Sequence, residues 1–275
     1  MKKDVELIEA IKNNDFEKVK VLISSGYNIN TEDDYYRTAL MYASENGCLN
    51  IVKYFIDNGA DVNIKDYHYK TALTYASKNG HFDIVKLLID KGTEFKDDRY
   101  ALMYALENGY LEIVKYLLEK GYDVSNDRHA LSAAAKSGYL EIVKLLIDKG
   151  AEFKNDRHAL MYASENGYFD IVKYLIELGT DVNMRDYSYR TALVYASGNG
   201  HLNIVKYLVS KEADINIIGD KYGITPLSNA AKNGHLEVVK YLIENKADVK
   251  NDRHALSDAL KNGHSEIAEL LKNYK

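Results

Sequence analysis

The chain has 275 residues, 46% of them apolar and 28% charged, with 36 basic against 41 acidic side chains and a formal net charge of −5. That balance suits a soluble chain and argues against a phosphate backbone as partner, which calls for a basic face. A single cysteine, Cys48, excludes an intrachain disulfide and fits a reducing, cytoplasmic setting. The opening MKKDVELIEAIKNN lacks the unbroken apolar run of a secretory signal. No stretch approaches the roughly 18 apolar residues of a transmembrane helix, so no membrane contact is expected.

Self-similarity governs the rest. The segment 151–179, AEFKNDRHALMYASENGYFDIVKYLIELG, lies over 122–150 and 93–121 at a constant offset, the mark of a stacked repeat. The first leucine of each repeat is a ruler: Leu7, Leu40, Leu73, Leu102, Leu131, Leu160, Leu193, Leu227 and Leu256, spaced by 33, 33, 29, 29, 29, 33, 34 and 29. Nine repeats follow, with Pro226 the only proline and no linker composition.

Each repeat reads as two short helices. In TALTYASK, from Thr71, Leu73 and Ala76 share a face. Asn79 and Gly80 then stop the helix, glycine being free to turn left-handed. Glycine recurs there as Gly47, Gly80, Gly109, Gly138, Gly167, Gly200, Gly234 and Gly263. In FDIVKLLID, from Phe82, the residues Phe82, Val85, Leu88 and Ile89 form the apolar stripe of a second helix. Neither helix is stable alone at this length, so repeats must stack, with helix axes about 8–10 Å apart. The two ends of such a stack meet water. Glu6 stands where inner repeats have Ala39 or Ala72, Lys18 where they have Ile51 or Ile84, and Ser265 replaces the apolar Leu49 and Phe82 column. These are capping repeats. The expected organisation is one repeat domain over 1–275, with an N-terminal cap at 1–30, inner repeats at 31–246 and a C-terminal cap at 247–275.

A repeat near 33 residues that opens T-A-L-x-Y-A or T-P-L-x-x-A, continues x-N-G-H-L-x-I-V-K-x-L and closes G-A-D-V-N resembles the ankyrin repeat. Thr38-Ala39-Leu40, Thr71-Ala72-Leu73, Thr191-Ala192-Leu193 and Thr225-Pro226-Leu227 carry the first element. Gly80-His81, Gly200-His201, Gly234-His235 and Gly263-His264 carry the corner, and Ala60-Asp61-Val62-Asn63 with Asp181-Val182-Asn183 the close. The resemblance implies an all-α ankyrin-repeat solenoid of nine helix-turn-helix units, with β-hairpin fingers in the longer units and shortened fingers in the others. It implies no enzyme and no cofactor. The histidine the family places in the first element is replaced by Met41, Thr74, Met103, Ser132, Met161, Val194, Ser228 and Ser257, so its hydrogen bonds need substitutes. The short form, N-D-x-A-L followed by A-S-E-N-G, looks like the large ankyrin families of amoeba-infecting giant DNA viruses; ankyrin effectors of intracellular bacteria are the alternative. No F-box-like tail is expected. The family's hairpin asparagines can be hydroxylated, and Asn63 and Asn183 match that position.

Fingers are expected at 30–38, 62–71, 182–191 and 215–225. The family puts glycine at the finger turn; Gly223 keeps it, while Tyr36, Tyr69 and Tyr189 take its place, so either the turn type differs or strain is stored. In the short repeats Asp98, Asp127, Asp156 and Asp252 are candidate N-caps, with helix one beginning early, at about Arg128 in its repeat, and the finger lost. Three short repeats run consecutively, which predicts a notch in the row of fingers.

The candidate contacts follow. Tyr35, Tyr67, His68, Tyr69 and Lys70 lie on fingers before the notch; Tyr187, Ser188 and Tyr189 lie after it. Exposed aromatics of this kind bind proteins at low entropic cost. Arg99, Arg128 and Arg157 form a ladder that reads either as recognition of an acidic or carboxylate-bearing partner or as a structural ladder with Asp98, Asp127 and Asp156. Tyr100, His129 and His158 fall in one column whose spacing does not suit a metal ion. The Tyr42, Tyr75, Tyr104, Tyr162 and Tyr195 column reads as packing between repeats. Glu45, Lys78, Glu107 and Glu165 at helix-one ends are further contacts. The even lysine column from Lys53 to Lys240 is offset by acids three residues before, as in Glu112 with Lys115, and reads as a solvated face. No nucleophile with a base, no phosphate-cradling loop and no closed carboxylate pair stands out. The expected function is a monomeric scaffold that binds a host or viral protein through the concave face of fingers and first helices, without nucleic acid or membrane. A self-assembling architectural role is the alternative.

Overall fold

The computed structural model describes residues 2–95, 99–125, 127 and 129–274, the side chains of 2–4 apart. The chain divides into two compact units, Met1–Val124 and Ser125–Lys275. The first holds α1 (Lys2–Lys12), α2 (Phe16–Ser24), α3 (Ala39–Glu45), α4 (Leu49–Asp57), α5 (Ala72–Lys78), α6 (Phe82–Asp90), α7 (Arg99–Glu107) and α8 (Leu111–Glu119). The second holds α9 (Ala130–Ser137), α10 (Leu140–Asp148), α11 (Ala159–Glu165), α12 (Phe169–Glu177), α13 (Ala192–Gly198), α14 (Leu202–Ser210), α15 (Pro226–Lys232), α16 (Leu236–Glu244), α17 (Ala255–Lys261) and α18 (Ser265–Lys272). Odd-numbered helices open a repeat and even-numbered ones close it.

Within each unit the opening helices pack on one another in sequence, and so do the closing helices. The ruler leucines Leu40, Leu73, Leu102, Leu131, Leu160, Leu193 and Leu227 are buried, as are the Ile-Val pairs of the closing helices, such as Ile84 and Val85. Each such side chain contributes about 1.5–3 kcal/mol. In the first repeat Lys18 and Glu6 form an ion pair at 3.3 Å.

The corner glycine is needed twice over. Gly80 has φ of +77°, and a β-carbon there would stand 2.7 Å from the Tyr110 ring of the next repeat. Where the corner side chain is histidine it ties repeats together: His81 Nε2 lies 3.1 Å from the Glu45 carbonyl oxygen and His201 Nε2 2.9 Å from that of Glu165. The hairpin asparagines do the same. Asn63 Oδ1 accepts the Glu94 N–H at 2.9 Å, and Asn183 Oδ1 accepts the Asp214 N–H at 2.8 Å.

Three expectations change. Among the described residues the fingers form no strand; one isolated antiparallel bridge, Glu32 with Thr38, is what remains of the hairpin. The helix start at about Arg128 is not observed: α9, α11 and α17 begin at Ala130, Ala159 and Ala255, in register with the long repeats. The entry route is what differs. Thr38 and Thr71 precede their helices with extended backbone, whereas His129, His158 and His254 are already helical in φ and ψ. Among the described residues α7 starts early, at Arg99. The missing family histidine is replaced locally: Thr74 Oγ1 and Ser228 Oγ accept the N–H of Thr71 and Thr225, completing capping boxes. Val194 offers no hydroxyl, and the buried Thr191 Oγ1 has no partner among the described residues.

Candidate functional site

Each finger is built on one aspartate. Asp66 Oδ1 accepts the N–H groups of His68 and Lys70, both at 2.8 Å. Its other oxygen accepts the Tyr75 hydroxyl of α5 at 2.6 Å. Asp33 with Tyr42 and Asp186 with Tyr195 repeat the arrangement at 2.7 and 2.6 Å. The tyrosine column on helix one is thus the anchor of the fingers as well as packing. Burial, and then the hydrogen bond to Asp33, push the Tyr42 phenol up to about 12. The same causes raise Tyr75 and Tyr195. In the last finger Asn229 replaces the tyrosine, and Asp220 instead accepts from the Arg190 guanidinium at 3.2 Å.

The locked turn forces the tip residue left-handed: Tyr36, Tyr69 and Tyr189 have φ of 60, 62 and 64°. The finger tips therefore hold their aromatics out into water. Tyr35, Tyr36, Tyr67, Tyr69, Tyr187, Tyr189 and Tyr222 are all more than half exposed. His68 and Ser188 are exposed beside them.

In the N-terminal unit neighbouring fingers are joined by the Tyr67 N–H donating to the Tyr35 carbonyl at 3.0 Å. Lys70 and Lys78 approach the Tyr104 ring, their ammonium groups 5.1 and 5.7 Å from its centroid. Arg99 lies 5.5 Å from the ring of its neighbour Tyr100. Glu45 is ion-paired with Arg37, whose guanidinium sits over the rings of Tyr42 and Tyr75 at 4.0 and 4.4 Å. Glu107 is exposed on α7.

In the C-terminal unit Arg157, His158 and Tyr187 come together in a cleft of about 440 Å³. The Arg157 guanidinium lies 5.3 Å from the Tyr187 ring, and His158 stacks between Tyr187 and Tyr162 at 5.6 and 5.7 Å. The acids of the cleft are already engaged. Asp156 accepts the N–H groups of His158 and Ala159 at 2.9 and 3.1 Å. Glu152 accepts those of Lys154 and Asn155. Burial pushes the Asp156 carboxyl up. Arg157 makes no ion pair among the described residues. His129 is exposed, its N–H donating to Asp127. Glu165 is half-buried on α11. Arg128 and Asp98 lie outside the described residues.

Sequence reasoning named the tip tyrosines but passed over Tyr222, Arg37 and Arg190. Tyr222 had a signal, since it precedes Gly223 at the same turn. The arginines had none, because their role depends on a neighbouring repeat.

Family models described as "Ankyrin repeats (3 copies)" match residues 7–99, 67–128, 93–157 and 131–218. Models described as "Ankyrin repeats (many copies)" match 194–243 and 227–271. No curated protein matches. Among solved structures, the crystal structure of the human ASB11 ankyrin repeat domain aligns with a TM-score of 0.69 at 22% identity, over 76% of this chain and 98% of that one. At that identity the likeness carries the fold alone.

Proposed function

The chain belongs to the ankyrin-repeat family, and from that premise we propose that it is a scaffold whose finger edge binds an acidic or carboxylate-bearing segment of a partner protein. Ankyrin repeats are generally protein–protein interaction modules, and proteins of the family are typically non-enzymatic. The observation that carries the reading is the Arg157 cleft, where an unpaired guanidinium lies against an exposed tyrosine while the nearby carboxylates are held by backbone N–H groups. A bidentate guanidinium backed by aromatic rings is the arrangement that selects carboxylates. Rigid fingers add aromatic contact area without an ordering cost. The short-repeat motif supports a giant-virus origin, and with it a host-cell or viral partner met in the host cytoplasm by a monomer. Among the described residues no helix is long and apolar enough to cross a membrane.

The test is crosslinking mass spectrometry of the tagged chain in amoebal lysate beside an Arg99→Ala/Arg128→Ala/Arg157→Ala variant. Loss of a specific partner from the variant supports the reading; retention of every partner refutes it.

A further inference from the structure

We propose that a second cleft, of about 520 Å³ between the finger at 220–224 and the loop ahead of α17, binds an acidic peptide segment that carries an apolar side chain. It lies wholly within the C-terminal unit and is independent of the Arg157 cleft. It arises where a long finger is followed directly by a short repeat: Leu227 and Leu256 are 29 apart, so no further finger covers this side of the tip.

The charges in the cleft are asymmetric. Asp252 is buried and fully used: it accepts the N–H groups of His254 and Ala255, both at 2.9 Å, and the Thr225 hydroxyl at 2.5 Å. Asp248 accepts both the backbone and the side-chain N–H of Asn251, at 3.1 and 2.7 Å, and the Asn251 amide holds its carboxyl below the ordinary range. The cations are held differently: the Lys221 ammonium stands 5.0 Å from the centroid of the Tyr222 ring. Lys221 and Arg253 are exposed, and neither makes an ion pair among the described residues. An incoming carboxylate therefore meets two cations that make no ion pair among the described residues, beside acids whose oxygens already accept from N–H and O–H donors.

The apolar half is equally specific to this place. Ile218 and Tyr222 are 60% and 68% exposed. In the other fingers the position of Ile218 is held by Glu32, Lys65 or Arg185, so an isoleucine has taken a position that elsewhere faces water as a charged side chain. Gly223 lets the wall close in, since a β-carbon there would stand 3.3 Å from His254 Nε2. Aliphatic and aromatic surface rimmed by unpaired cations suits an acidic segment with an embedded leucine or phenylalanine.

The experiment is isothermal titration of the full-length chain with the acetylated peptide Glu-Leu-Asp-Phe-Glu and with its lysine-for-acid counterpart, comparing native chain, Lys221→Glu/Arg253→Glu, Ile218→Lys and Arg157→Glu. All four changes are on exposed side chains, and circular dichroism confirms that each variant keeps its helices. The expected result is that the acidic peptide binds, the basic one does not, and Lys221→Glu/Arg253→Glu removes one class of sites. Ile218→Lys should weaken that class by about tenfold. Native stoichiometry in the double variant overturns the proposal. So does complete displacement by inorganic phosphate, which would mean a simple anion site, or a sedimenting dimer that Ile218→Lys disperses, which would mean a face for a second copy. Sites lost only with Arg157→Glu would sink this proposal and leave the first cleft standing; sites lost only with the double variant would do the reverse.

Discussion

Tyr36, Tyr69 and Tyr189 hold left-handed backbone at φ of 60–64°, where a side chain with a β-carbon costs about 1–2 kcal/mol. Glycine at the equivalent Gly223 avoids that cost. The strain keeps an aromatic ring at the fingertip, so Tyr69→Gly should stabilise the fold by about 0.5–1 kcal/mol after glycine's own entropy is counted, while weakening partner binding. Urea unfolding measures the first effect, and an unchanged midpoint would show that the turn is unstrained. Below the tip, Tyr75→Phe removes the α5 hydroxyl that donates to Asp66. It should cost about 1.5–3 kcal/mol, because a buried carboxylate oxygen loses its partner. The pH dependence has a definite sign. The folded-state phenols lie above their ordinary value, so the stability they lend is complete below about pH 10 and is lost as pH rises through the folded value, about 12 for Tyr42. Alkaline unfolding of the native chain should therefore begin earlier than tyrosine titration of the folded protein; coincidence with free tyrosine would count against the lock.

Two elements show how helix starts are specified. In α13 the N-cap threonine lacks its reciprocal hydroxyl because Val194 stands where Thr74 and Ser228 complete their boxes. Val194→Thr should add about 0.5–1 kcal/mol, read as a rise in the thermal midpoint; no rise would mean that the threonine side chain packs badly in this buried site. Ahead of α11, Asp156 plays a different part. Its two N–H contacts favour the carboxylate while burial opposes it, and burial prevails. With a folded-state value raised above the unfolded one, native stability is fuller at acid pH and falls as pH climbs through the folded value. Asp156→Asn keeps the acceptor without the charge. It should match or exceed the native chain at pH 7 and lose that advantage on acidification, whereas Asp156→Ala should lose about 1 kcal/mol. A variant pair with equal stability at every pH would refute the account.

At the scale of a whole unit, the opening and the closing helices of the first unit each pack in sequence, and in its first repeat Glu6 and Lys18 pair at 3.3 Å where inner repeats carry alanine and isoleucine. Glu6→Ala with Lys18→Ile, the residue types of the inner repeats, should increase concentration-dependent association relative to the native chain, seen by light scattering behind size exclusion. Unchanged mass across a tenfold concentration range would mean that the cap does not control association. The lysine column behaves as a solvated face: Lys115, Lys144 and Lys240 each bond an acid three residues earlier, at 2.9–3.0 Å.

Repetition made the architecture legible from sequence. The ruler leucines, the corner glycines and the apolar stripes each report a local requirement that recurs at fixed spacing, so nine noisy copies amount to one clear signal. The exposed tip tyrosines were readable for the same reason. What sequence left undetermined lay between repeats or across loops. The tyrosines at 42, 75 and 195 read as packing, since nothing in their helix says that an aspartate nine residues earlier folds back onto the hydroxyl. Glu45 read as a free contact because Arg37, its partner, joins it only when the finger lies over the helix. The cleft by Arg253 and Tyr222 went unseen because each half belongs to a different repeat. Local pattern determined which residues form helices and which face is apolar. Only tertiary packing decided which polar groups are already satisfied and which remain for a partner, because that depends on distances the chain creates by folding.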